Sequence, residues 1–73
     1  MVKHIVSNDE FFGINAGKVW ESLKSNGPMS ITRLCGNLDM EDNEVFGALG
    51  WLGREGRINI EKSRKSYVCS LTE

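Results

Sequence analysis

The sequence predicts an α+β fold in which three helices are followed by an antiparallel β-hairpin. Three observations carry that prediction. Apolar residues recur at helical spacing in three separate stretches before residue 55. Gly56 directly follows the last of these, as a left-handed helix stop does. Beyond it, Ile58 and Ile60 alternate with Arg57, Asn59 and Glu61, which is a strand period.

Each element has its own justification. Residues 1–8 read as a loose tail, with an edge strand over 2–6 as the alternative. Asn8 or Asp9 caps the first helix, and Asp9 and Glu10 suit its positive end. Phe12, Ala16, Val19, Trp20 and Leu23 share its buried stripe. Gly13 weakens the first turn, so a start at Asn15 is the alternative. Gly13 and Gly17 share a face and permit close packing there. Asn26-Gly27-Pro28 ends the helix. Ser30 caps the second helix, and Met29 and Leu34 stand at hydrophobic-staple spacing. Ile31, Leu34, Cys35 and Leu38 form its stripe. A tight turn at Asp39-Met40 leads to the third helix, where Glu41 is a poorer cap than serine or aspartate. Val45, Ala48, Leu49 and Leu52 are its buried face.

The hairpin follows as a strand over 57–61, a polar turn of Lys62, Ser63, Arg64 and Lys65, and a returning strand over 66–71. Tyr67, Cys69 and Leu71 fall on one side of that strand and Val68 on the other. A lone hairpin is marginal in water, so it must lie on the helices. Met29-Ser30 is placed to add a third short strand. Three helices, the last two joined by a tight turn, followed by a two- or three-stranded antiparallel β-wing, make a winged helix-turn-helix. A plain three-helix bundle with a frayed end is the alternative, and the alternation after Gly56 disfavours it.

Two motifs carry a resemblance. Residues Ala16 to Leu23 (AGKVWESL) and Ala48 to Ile58 (ALGWLGREGRI) resemble a family of small, stand-alone winged helix-turn-helix proteins of bacteria and archaea. The likeness covers roughly residues 12–71. It implies the fold more firmly than an activity. Gly53 departs from the alanine that the family favours, and Glu41 from a serine-like cap.

Composition narrows the function. Seventy-three residues make one small domain, 1–73. The net charge of −1 argues against a strongly electrostatic nucleic-acid binder. Its distribution is uneven, because residues 1–53 carry four cations and seven anions, and residues 54–73 five cations and three anions. The hairpin is therefore the basic part. Cys35 and Cys69 do not make a disulfide framework and fall on apolar stripes. Lys3, His4, Asn8 and Asp9 interrupt any signal-peptide core, and no apolar run approaches the ~20 residues of a membrane span. A cytoplasmic setting with no membrane partner is expected.

An enzyme is the weakest class. His4 is the single histidine, no nucleophile has a base partner in sequence, and no phosphate-binding glycine loop appears. Neither a metal site nor a cofactor is expected. No small-molecule ligand is inferable.

Two readings remain, DNA binding first. In a helix-turn-helix, the second helix of the motif reads the major groove. Around Val45, at about 100° per residue, the opposite side of that helix carries Asn43, Gly47, Gly50 and Arg54, with Phe46 and Trp51 as flanks. Asn43 could pair with adenine and Arg54 with guanine, and Gly47 allows close approach. Lys62, Arg64 and Lys65 would hold phosphates of double-stranded DNA. Glu41, Asp42 and Glu44 oppose this reading by repelling phosphates. The second reading is a protein-interaction module, most simply a homodimer. Its surface is Phe11, Phe12, Phe46, Gly50 and Trp51, since aromatic residues are favoured at interfaces. Trp20 is expected to complete the core.

Overall fold

The computed structural model describes residues 5–72. The expected loose tail lies partly at residues 1–4, outside the described residues. A π-helical turn, Asp9–Gly13, runs without a break into α1, Ile14–Asn26. The short strand β1, Met29–Ser30, precedes α2, Ile31–Leu38, and α3, Asp42–Arg54. Strands β2, Ile58–Lys62, and β3, Tyr67–Leu71, form the wing. The sheet is antiparallel in the order β1-β3-β2, with Met29 opposite Cys69 and Ile58 opposite Leu71. Three helices and a three-stranded wing make an α+β winged helix, as expected.

The local chemistry explains the boundaries. Ser7, rather than Asn8 or Asp9, opens the first helix. Its Oγ accepts from the Glu10 N–H at 3.0 Å, and its carbonyl from the Phe11 N–H at 3.0 Å. Asn8 is already helical and makes no side-chain cap. The start at Asn15 is thereby overturned. Gly27, at φ 79°, ends α1. Ser30 caps α2 by accepting from the Arg33 N–H at 3.2 Å. Glu41 begins α3 with help, since the Glu44 carboxylate accepts its backbone N–H at 3.0 Å. This reciprocal arm of a capping box offsets the weak cap. At the far end, Gly56 at φ 70° lets the Arg57 N–H reach the Leu52 carbonyl at 3.0 Å, a Schellman closure.

The core is built from the expected stripes. Val19, Leu34, Val45, Leu52 and Cys69 are fully buried, with Ala16, Leu23, Met29, Ala48, Leu49 and Ile58 around them. Asn37 on α2 donates to the buried Ser22 Oγ on α1 at 2.9 Å, tying the two helices. Ile60 departs from the expected alternation. It shares a face with buried Ile58 yet stands 51% exposed, because the wing projects beyond the helices. Strand β2 also starts and ends one residue later than the sequence pattern indicates.

Candidate nucleic-acid interface

The outer side of α3 is divided into a covered and an open part. Gly47 is covered by Phe12. A Cβ at residue 47 would lie 2.9 Å from Phe12 Cε1. Phe12 in turn stacks on Trp51, with ring centroids 6.0 Å apart and planes at 10°, and Phe11 meets it edge-on at 5.0 Å. The close neighbour that a bare helix backbone calls for is thus, at Gly47, a side chain of the same molecule. Gly50 has no such neighbour, as no described atom lies within 4 Å of its Cβ position. The close packing expected at Gly13 and Gly17 is likewise not found among the described residues.

The predicted residues fall into two neighbourhoods. Arg54, Gly47, Gly50, Phe12, Trp51 and Phe46 line one shallow shelf. Lys65 lies in a different groove, with Asp42, Ile31, Cys35, Phe46 and Tyr67. Phe46 is the ridge between the two and stands 57% exposed. Asn43 is exposed near the start of α3, beside Glu41 and Asp42. Phe11 is exposed at the rim, whereas Phe12 and Trp51 are half-buried. Trp20 is half-buried and packs against the core.

Charge is distributed unevenly over this surface. Lys62, Arg64 and Lys65 are exposed around the wing turn, which the Ser63 N–H closes on the Ser66 carbonyl at 2.8 Å. None of the three forms an ion pair among the described residues. Lys62 lies 5.8 Å from the Tyr67 ring centroid. Across the groove, burial first, and then the hydrogen bond and charge of Asp42, push the Cys35 thiol above its usual value. Cys35 therefore stays a neutral thiol at neutral pH.

Two features escaped the sequence pattern. Tyr67 shares its strand face with buried Cys69 but is 46% exposed at the wing tip. Arg57 does not join the wing cations. Its guanidinium sits 5.2 Å from the centroid of one Trp20 ring, and Lys24 Nζ lies 4.9 Å from that tryptophan. The Lys24 contact follows from its i, i+4 spacing on α1, whereas the Arg57 contact has no local signal, because it depends on how the wing meets the helices. Among the described residues, no helix is long and apolar enough to cross a membrane, and no group of three His, Cys, Asp or Glu could hold a metal ion.

The family model described as a winged helix-turn-helix domain (DUF2582) matches residues 1–71. No curated protein matches the sequence. Among solved structures, protein BT2368 from Bacteroides thetaiotaomicron is similar at 29% identity and a TM-score of 0.80, over 89% of this chain and 79% of that one. A structure of the DNA recognition and protein interaction domains of HOP2 is similar at 24% identity and a TM-score of 0.67, over 78% of this chain and 97% of that one. Reduced HlyU from Vibrio cholerae follows at 17% identity and 0.62, over 84% and 76%. The last two likenesses concern the fold alone.

Proposed function

The chain belongs to the DUF2582 family of winged helix-turn-helix domains, and from that membership we propose a non-enzymatic, DNA-associated regulatory function led by the wing. The observation that carries this reading is the exposed turn bearing Lys62, Arg64 and Lys65, three cations with no acidic partner among the described residues. A turn of this kind suits the phosphates of double-stranded DNA. HOP2, whose DNA recognition and protein interaction domains include one of similar fold, is a precedent for the fold in that setting. Helix α3 contributes less. Its start holds Glu41, Asp42 and Glu44 where a recognition helix meets base edges, and these repel the backbone. Asn43 is left as the candidate reader of adenine and Arg54 of guanine. Binding of this kind is salt-sensitive and poor in sequence preference.

The test is a titration of generic duplex DNA at low and then moderate salt. Three to five phosphate contacts give a log–log salt slope of about −3 to −4.5. Replacing Lys65 by alanine lowers that slope by about 1. No binding at low salt overturns the reading. The exposure of Phe46, at 57%, favours a second one, in which α3 docks a protein along the Phe46, Gly50 and Trp51 shelf.

A further inference from the structure

We propose that the groove between the wing and helices α2 and α3 takes unpaired bases, so that the form of DNA this chain prefers is a single strand. The inference deepens the reading of the wing as a phosphate-binding turn and rests on it.

Phe11, Phe46 and Tyr67 are the exposed aromatic residues among those described. Phe46 and Tyr67 come from different elements, α3 and β3, yet border the same groove. Ile31 and Cys35 of α2 also line it. Its volume of about 280 Å³ falls below the roughly 300–1,000 Å³ of sites for drug-sized ligands, so it suits a flat group of the size of a base. Exposed aromatic faces beside cations are the surface on which successive bases of a single strand stack.

The two walls of the groove differ in charge. The wing wall carries Lys65 in the groove, with Arg64 next to it in the turn, and both are exposed. Lys62 lies opposite Tyr67 in the sheet and 5.8 Å from its ring centroid. A side chain that can hold a phosphate therefore stands next to one that can hold a base. The helix wall carries Asp42, with Glu41 just before it. A duplex has phosphates along both edges of each groove and would bring one row against these carboxylates. A single strand has phosphates on one side and base edges on the other. Its phosphates match the wing, and its bases turn towards Phe46 and Asp42. A carboxylate in that place accepts a hydrogen bond from a base amino group, such as that of cytosine. The charge asymmetry across the groove is what selects a single strand over a duplex.

Fluorescence anisotropy of the full chain tests the proposal, with a labelled mixed-sequence DNA strand of about 12 nucleotides, alone and annealed to its complement. At the same low salt the single strand is expected to bind about tenfold more tightly than the duplex, the gain of one stacked base. Phe46→Leu and Tyr67→Leu keep apolar bulk but lose the stacking face. Each weakens single-strand binding about fivefold and changes duplex binding less than about twofold. Both side chains are exposed, so the circular dichroism spectra of the variants match the wild type. Lys65→Ala weakens both forms, because it removes a phosphate contact common to them. A duplex bound as tightly as the single strand overturns the proposal. So does a single-strand affinity that both leucine variants leave unchanged. Either result leaves salt-dependent duplex binding, and with it the reading of the wing, intact. Binding of neither form at low salt overturns the reading of the wing and this inference together.

Discussion

Gly47 and Gly50 lie one turn apart on the same side of α3 and stand in opposite surroundings. At Gly47 the Phe12 ring occupies the space a side chain would need. At Gly50 that space is open. A glycine within a helix costs about 1 kcal/mol relative to alanine at either position. At Gly47 the cost is offset by Phe12, stacked on Trp51 and met edge-on by Phe11. At Gly50 nothing among the described residues offsets it. The contrast teaches that a small residue on a helix marks close approach only where a neighbour is actually seated.

The sharpest way to break the contrast is to remove the neighbour. Phe12→Ala strips the ring from Gly47 and from Trp51. Because Phe12 is only half-buried, the expected loss is about 2 kcal/mol, below that of a fully buried phenylalanine. Urea denaturation measures it. Filling the covered position comes next. Gly47→Ala gains helix propensity but displaces the Phe12 ring, and the net change is a loss of about 1 kcal/mol. In the Phe12→Ala background the same substitution becomes stabilising, and a double-mutant cycle reads the difference. Gly50→Ala, at the open position, raises stability by up to about 1 kcal/mol. A loss there would mean that something does cover Gly50.

The smallest effect carries the contrast of covered and open sites to the two thiols. Burial raises the Cys69 thiol, and burial together with Asp42 raises Cys35, above the ordinary 9.0. A raised folded-state value means that the native protein holds these protons longer than the unfolded chain. Stability from this source is complete below pH 9.0 and is lost as pH rises through the higher folded values. Urea midpoints should be flat from neutral pH to about 8 and fall beyond 9. Asp42→Asn lowers the Cys35 value, so alkylation of Cys35 at mildly alkaline pH should quicken while Cys69 stays protected.

Much of the fold was legible in the sequence because its signals are local. Gly27 and Gly56 sit at positive φ where the periodic stripes end. Ser30 as cap, and Met29 and Leu34 at staple spacing, mark the start of α2 within a few residues. The start of the first helix was less legible. Ser7 competes with Asn8 and Asp9 as a cap, and three adjacent polar residues give no pattern to separate them. The candidate site was harder still. Strand alternation correctly puts Ile60 and Tyr67 on the face of Ile58 and Cys69, but burial depends on how far the helices extend beneath the wing. The cover over Gly47 comes from Phe12, far away in the chain, so helical periodicity shows the bare backbone and not what fills it. The separation of Arg54 from Lys65 into different grooves has the same origin.

One residue belongs to two elements at once. Ser30 pairs with Val68 in the sheet, and its hydroxyl holds the first turn of α2. The ribbon and the second helix therefore pivot on a shared piece of backbone. A load that tilts the wing tip would twist this joint and loosen the Arg33 amide. Hydrogen exchange at that one amide would then report strain applied at the opposite end of the sheet.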